Sequence, residues 1–335
     1  MDKDIRIVGN SKSIRNLLEF IKISSKTDEN ILILGDTGVG KELAAINIHL
    51  YSHRKEHPFE KINCANLSEN LLESELFGHK KGAFSGAVTD KTGLIEEADN
   101  GTFFFDEIGD ISPFLQAKLL SVIEEKKIRR LGENKYKKIN VRFIFATNRD
   151  LCDLIDKKKF RKDLYYRICT ISFCIPPLKE RKEDIPLLAK HIILQSKKNI
   201  KKKLTRRALN KLSTYHYPGN IRELENIIKR ACIFTKGNKI IEENIIFGGK
   251  KEEEKLSTPE RLYKEMIDER KIFWEIVHQP FLKREINRDQ AKKIISLGLK
   301  QTGGSYKKTA TLFNINQDRK DYKKFMDVIR IHNLY

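Results

Sequence analysis

The sequence predicts an α/β protein in three parts. A parallel sheet covered by helices on both faces comes first, then a small helical domain, then an all-helical C-terminal region. Three observations carry this. Short apolar runs bounded by turn residues alternate with helical patterns up to Pro176-Pro177. Strand signals stop there and amphipathic helices take over. A glycine-led polar stretch, Gly248–Lys255, then separates off the remainder as a linker would. The expected divisions are 1–177, 178–247, a linker over 248–258, and 259–335.

The strands are expected at Ile31–Leu34, Phe59–Asn63, Thr102–Phe105, Val141–Ala146 and Cys169–Ile175, each an apolar run ending at polar or turn residues. Helical spacing covers Leu43–Tyr51. Behind the sheet it covers Ile185–Gln195, Thr205–Leu212 with Thr205 as N-cap, and Ile221–Phe234 after the Pro218-Gly219-Asn220 turn. Beyond the linker, Arg288–Gln301, Tyr306–Phe313 and Gln317–Ile329 are three expected helices, broken by Gly303-Gly304 and Asn314-Ile315-Asn316. In the last, Tyr322, Phe325, Met326 and Ile329 share one face at i, i+3, i+4, i+7 spacing.

Composition excludes several classes. The 335 residues include 39% apolar and 33% charged ones, a balance that is neither disordered nor collagenous. No apolar run approaches the roughly 18 residues that cross a bilayer, and the N-terminus lacks an export signal, so no membrane role and a cytoplasmic location are expected. Five cysteines (Cys64, Cys152, Cys169, Cys174, Cys232), an odd number without a CxxC pair, argue against a disulfide framework or zinc ribbon. The net charge of +20 suggests an anionic partner, but lysine is spread along the whole chain, and clustered charge is the better signal.

The chemistry-bearing residues begin where Ile31–Leu34 runs into Gly35-Asp36-Thr37-Gly38-Val39-Gly40-Lys41, and then into a helix. Glycines let such a loop curl until successive N–H groups face one centre. The helix N-terminus adds partial positive charge, and Lys41 reaches the β- and γ-phosphates. Glu42 follows, where Ser or Thr usually offers Mg²⁺ a hydroxyl, so the metal must rely on water and carboxylates elsewhere. Asp106 and Glu107 end an apolar strand, the place in an open α/β sheet where charges face the ligand crevice. Asp106 is the candidate Mg²⁺ ligand, and Glu107 the group that polarises the attacking water. Asn63 either hydrogen-bonds Glu107 and restrains it, or is a structural Asn. Asn148 either meets the γ-phosphate or its water, or forms a turn. Arg161 and Arg167 are candidates for stabilising the transferring phosphoryl group of a neighbouring subunit, or are surface salt-bridge arginines. Arg222 could report nucleotide state to the helical domain. In Gly82-Ala83-Phe84-Ser85-Gly86-Ala87, an aromatic sits at a glycine-hinged tip, suited to touching a partner or to a tight turn.

Seven ordered motifs make the sequence closely similar to the central AAA+ domain of bacterial enhancer-binding proteins, the activators of sigma-54 RNA polymerase. They are GDTGVGKE (Gly35–Glu42), INCANL (Ile62–Leu67), ESELFGHKKGAFSGA (Glu73–Ala87), ADNGTFFFDEIGD (Ala98–Asp110), ATNRDL (Ala146–Leu151), FRKDLYYR (Phe160–Arg167) and YPGNIREL (Tyr217–Leu224). The resemblance covers about Ile7–Phe247. It implies an AAA+ P-loop sheet domain with a helical lid, a phosphate loop on Gly35–Glu42, a metal-binding Asp106 and a catalytic Glu107. It also implies a restraining Asn63, sensors at Asn148 and Arg222, and trans-acting Arg161 and Arg167. The family's sigma-contacting GAFTGA loop here reads GAFSGA, with Ser85 in the Thr position and Phe84 intact. The implied activity is ATP hydrolysis, with ATP and Mg²⁺, by a ring (typically a hexamer) that remodels the polymerase at promoters. A nucleotide-regulated DNA-binding repressor and an AAA+ remodeller of another protein stay open as alternatives.

The 34 residues before the phosphate loop are too few for a ligand-sensing domain, so control is expected from elsewhere. Such activators often end in a helix-turn-helix similar to the Fis protein, and the last three expected helices fit one. Arg319, Lys320, Lys323 and Lys324 lie largely off the apolar face, as candidates for DNA upstream of promoters. From Phe281 on there are 13 Lys+Arg against 5 Asp+Glu. A basic bundle for protein contacts is the competing expectation. The Lys197–Lys203 run is expected to be a solvated face.

Overall fold

Strands β1 (Ile31–Leu34), β2 (Phe59–Asn63), β3 (Thr102–Asp106), β4 (Arg142–Thr147) and β5 (Ile171–Cys174) form one sheet in the order β2-β3-β4-β1-β5, every pair parallel. The computed structural model describes residues 6–84, 86–195, 202–247, 258–268, 270–316 and 318–334. It contains two compact units, residues 1–248 and 249–335.

The sheet is buried on both faces, as parallel sheets must be. Phe103, Phe105, Phe143 and Phe145 point to one layer, where Phe105 and Phe145 stack with centroids 5.3 Å apart. Phe104, Ile144, Ala146, Ile31 and Ile33 point to the other, against Ala44 and Ile48 of helix Lys41–Leu50 and Ile14, Leu17 and Ile21 of helix Lys12–Ser24. The last strand starts at Ile171 rather than Cys169, because Cys169 still caps helix Lys162–Ile168 by donating its N–H to Tyr165 O. Strand β1, flanked by β4 and β5, aims its C-terminal end at the phosphate loop.

Helices Ile185–Gln195, Arg206–Thr214 and Asn220–Phe234 make the small helical domain around Leu188, Ile192, Leu212, Leu224 and Ile228. Thr205 caps the second by accepting from Ala208 N. Lys202 donates to Cys232 O and Thr235 O, closing the C-terminal end of the third helix, while Lys197–Lys201 lie outside the described residues. Two short antiparallel ladders, Gly78–His79 with Lys91–Thr92 and Lys127–Ile128 with Lys137–Lys138, rise from the sheet domain. No helix among the described residues is long and apolar enough to cross a membrane.

Residues 258–334 form the second unit; the expected linker, apart from Thr258, lies outside the described residues. Its longer helices are Thr258–Asp268, Arg288–Gln301, Tyr306–Leu312 and Arg319–Ile331, with a short π-helical turn Trp274–His278 running into Gln279–Leu282 between the first two. The last starts at Arg319, because Asp318 accepts from Asp321 N and caps it there; Gln317 is outside the described residues. Phe325 and Ile329 are buried as the periodicity required, with Tyr322 and Met326 packed beside them. Phe325 meets Phe273 edge-on at 5.2 Å, and Phe273 stacks on Phe313 at 5.7 Å. Arg319, Lys320, Lys323 and Lys324 are exposed, and Lys324 Nζ lies 4.6 Å over the ring of Trp274.

Trp274 is the only tryptophan and reports on this unit alone. Phe325→Ala should destabilise that unit by about 3–5 kcal/mol through the cavity it leaves. In urea titrations, the Trp274 fluorescence transition should move to lower denaturant. An unmoved transition would reject the aromatic core.

Candidate active site

Three of the phosphate loop's glycines adopt positive φ: Gly35 (149°), Gly38 (81°) and Gly40 (108°). A Cβ built at Gly40 would meet no heavy atom within 4 Å, so it would project into open space at the start of helix Lys41–Leu50. No side chain caps that helix. An uncapped helix N-terminus behind a curled glycine loop suits an anion. Glu42 pairs with Lys61 at the surface.

Lys41 is 6% exposed. Its Nζ donates to Gly35 O at 2.8 Å and Asp36 O at 3.4 Å, and lies 3.4 Å from Glu107 Oε1. Glu107 itself is left-handed (φ 54°), a conformation costing a non-glycine residue roughly 1–3 kcal/mol. The turn carries its carboxylate toward Lys41 and β4: Oε2 accepts from the Asn148 backbone N–H at 3.0 Å. Asn148 Nδ2 reaches Thr37 Oγ1 at 3.0 Å, which joins the β4 tip to the phosphate loop.

Asn63 departs from the expectation. It does not hold Glu107; its Nδ2 donates to Asp106 Oδ2 at 3.1 Å, and its Oδ1 accepts from Ala65 N. The register explains this, since β2 and β3 pair Asn63 directly opposite Asp106, while Glu107 has turned away beyond the strand end. Burial, then the neighbouring Glu107 charge, raises the Asp106 carboxyl above the usual range, against the pull of Lys41. Burial also pushes the Cys64 thiol up, so the cysteine next to these acids stays protonated. Among the described residues no three or more His, Cys, Asp or Glu gather as a metal site. An octahedral cation that keeps several waters and uses one carboxylate plus phosphate oxygens fits Asp106 without such a cluster.

Arg161 and Arg167 are exposed, and Arg161 forks onto Asp163 at 3.0 and 2.7 Å. Arg222 borders the phosphate loop, its Cβ 3.2 Å from where a Gly38 Cβ would lie. Gly82 (φ 80°) and Gly86 (φ 108°) flank the Phe84 tip, closed by Gly82 N donating to Ala87 O at 2.9 Å. Ala83 N donates to Lys80 O, and Ala87 N to Phe84 O. Phe84 is 45% exposed with its ring edge-on to His79 at 5.0 Å; Ser85 lies outside the described residues. Sequence reasoning missed the buried Arg181, Asp184 and Asn220 beside the loop. The signal was present: Asn220 sits inside YPGNIREL, and Arg181 and Asp184 follow the Pro176-Pro177 break.

An interior parallel strand running into a glycine-curled loop, an acid pair at the end of a strand two places along the sheet and a helical lid define the AAA+ class of P-loop proteins. The model of the sigma-54 interaction domain matches residues 7–174, and that of an AAA+ ATPase lid domain matches 179–261. The chain belongs to the sigma-54 activator family of AAA+ proteins. It is 46% identical over 237 residues to the DNA-binding transcriptional activator HyfR of Escherichia coli K12, covering 70% of this chain and 35% of that protein. It is 45% identical over 242 residues to the transcriptional regulatory protein ZraR of Salmonella typhimurium, covering 71% and 55%. The chain thus spans between about a third and just over half of these relatives. The crystal structure of NtrX from Brucella abortus in complex with ADP superposes with a TM-score of 0.68 at 25% identity, covering 98% of this chain and 70% of that one.

The raised Asp106 carboxyl has a consequence for stability. Between its unfolded and folded values the native state binds more protons, so its ionised form costs stability at pH 7, and that cost disappears as pH falls through the folded value. Asp106→Asn loses one of the two acceptors that Asn63 Nδ2 and Glu107 N use, but removes the charge, so its thermal midpoint relative to the unsubstituted nucleotide-free chain should be more favourable at pH 7 than at pH 4. A difference that stays constant with pH would reject the assignment.

Proposed function

We propose that the chain is an ATP-driven transcriptional activator that remodels sigma-54 RNA polymerase. The observation that supports this most is the arrangement of Glu107. Its backbone is held in a strained turn, and its carboxylate is set between the Lys41 ammonium and the Asn148 N–H at the mouth of the phosphate loop. A positioned carboxylate at that place is what orienting a water for attack on a γ-phosphate requires.

In this reading residues Gly35–Glu42 cradle the phosphates of ATP, and Lys41 leaves its loop carbonyls to meet them. Asp106 holds Mg²⁺, which supplies charge neutralisation at the leaving and transferred groups. Glu107 polarises the water; Asn148 carries the state of the γ-phosphate to Thr37 and Glu107. Arg222 carries it to the lid. Asn63, bonded to Asp106, orients the metal-binding acid. Arg161 and Arg167 serve the site of a neighbour in a ring, of six subunits by the family's habit, and Arg161 must leave Asp163 to do so. The Gly82–Ala87 loop presses Phe84 against sigma-54. Arg319, Lys320, Lys323 and Lys324 face DNA upstream of the promoter, Lys324 having first to leave the Trp274 ring.

Two substitutions test this together. Glu107→Ala should bind ATP but hydrolyse it about 10²–10⁴-fold more slowly, since only water activation is removed. Phe84→Ala should hydrolyse ATP within about twofold of the unsubstituted rate, yet fail to support open-complex formation by sigma-54 polymerase in a transcription assay. Normal transcription by the Phe84 variant would reject the sigma contact. Normal turnover by the Glu107 variant would reject the catalytic role.

A further inference from the structure

Three successive carbonyls of the phosphate loop are hydrogen-bonded from the lid. Asn220 Nδ2 donates to Thr37 O at 3.0 Å, the Ile221 backbone N–H to Gly38 O at 3.0 Å, and Arg181 Nη2 to Val39 O at 2.9 Å. Loop geometry makes such donors necessary. A backbone that curls its N–H groups inward, toward an anion, turns carbonyls outward, and buried carbonyls need partners.

Both side chains belong to a larger buried network. Asn220 is 1% exposed, and its Oδ1 accepts from Leu178 N at 2.7 Å, so one amide ties the start of the lid to the loop. Its left-handed φ of 52° is one that Asn tolerates better than most residues. Arg181 is 2% exposed, its Nε has no hydrogen-bond partner among the described residues, and it feels the charge of the fully buried Asp184 at longer range. Asp184 in turn accepts from Asn10 N (2.8 Å), Ser11 N (2.8 Å) and Ser11 Oγ (2.6 Å), which anchors the N-terminal segment. The lid presses close: a Cβ at Gly38 would lie 2.5 Å from Gly219 O.

We propose that Asn220 and Arg181 are positioning residues that set the curl of the phosphate loop from its outer face. They couple lid orientation to nucleotide affinity through the loop's backbone, by a route separate from the charge of Arg222. A lid that swings must carry these three carbonyls with it or release them. Either outcome changes where the opposite edge of the same peptides, the N–H groups, points. The proposal rests on the loop's being an ATP site.

The test uses the full chain, a fluorescent methylanthraniloyl-ATP and its ADP counterpart with Mg²⁺, and amide hydrogen exchange. Asn220→Asp keeps the shape and the acceptor for Leu178 N–H, but turns an oxygen toward Thr37 O. Affinity for both nucleotides should fall at least tenfold. The nucleotide-induced slowing of exchange over residues 178–184, expected in the unsubstituted chain, should vanish, whereas Arg222→Ala should retain it. Binding within twofold of the unsubstituted chain, or retained slowing, overturns the proposal. Should Asn220→Asp not fold, Asn220→Gly, which keeps the left-handed backbone without strain, carries the same expectations and the same overturning result. An unsubstituted chain that binds neither nucleotide would instead overturn the ATP reading, and this proposal with it.

Discussion

The site depends on keeping one ammonium group dry. Lys41 is nearly buried, and an isolated cation there would cost several kcal/mol. Two loop carbonyls and the Glu107 carboxylate compensate it. The arrangement is local to one turn of chain on each side, so it stands only while the loop stays curled and β1 and β3 keep their spacing across β4. The aromatic layer under the sheet, with Phe105 stacked on Phe145, fixes that spacing. Core packing and charge placement are thus one constraint: a sheet that slipped by a residue would put Asp106 and Glu107 on the wrong faces.

Strain is spent at a specific point. Glu107 is left-handed, immediately after a strand whose residues are fully regular. Continuing extended would alternate its side chain to the sheet face opposite Asp106. The left-handed turn instead gathers both carboxylates at the strand end, where burial and their mutual repulsion raise the Asp106 carboxyl. Such a pair stores unfavourable charge in the nucleotide-free chain, and on the proposed function a cation held by Asp106 would relieve it.

Most of this was legible in the sequence, because it is written in local signals. Apolar runs gave all five strands to within two residues, and glycine spacing gave the loop. The Asp106-Glu107 pair gave the acid end of the crevice. What escaped was set by pairing between distant segments. The partner of Asn63 depends on the register of β2 against β3, which no local pattern encodes, and it proved to be Asp106 rather than Glu107. The donors on the outer face of the phosphate loop come from positions more than a hundred residues on, one of them in the Pro218-Gly219-Asn220 turn, whose spacing says nothing of what its side chain meets. Lys324 lies off the apolar face, which makes it a candidate for DNA; its ring partner, Trp274, sits fifty residues earlier, beyond the reach of any local spacing.

On the proposed function the Phe84 loop is a tip that pushes, and such a tip needs a stiff base and a compliant end. The base here is stiff: Glu96 is buried and gripped by both Nε and Nη2 of Arg130 at 2.9 and 2.8 Å, with Lys137 adding a third donor at 2.9 Å. The Arg130 guanidinium holds that carboxyl below its usual value against the pull of burial, which favours the ionised grip. Lys80 N donating to Leu131 O, and Leu131 N to Gly78 O, bind the two short ladders into one platform. Beyond it, Gly82 and Gly86 both adopt positive φ, and between them Phe84 rests edge-on against His79, half in solvent. On the proposed function, the ring is parked rather than docked. One edge-to-face contact worth about 0.5–1.5 kcal/mol holds it. A hydrolysis cycle delivering several kcal/mol to the platform could release the aromatic to a partner without disturbing the ion cluster beneath.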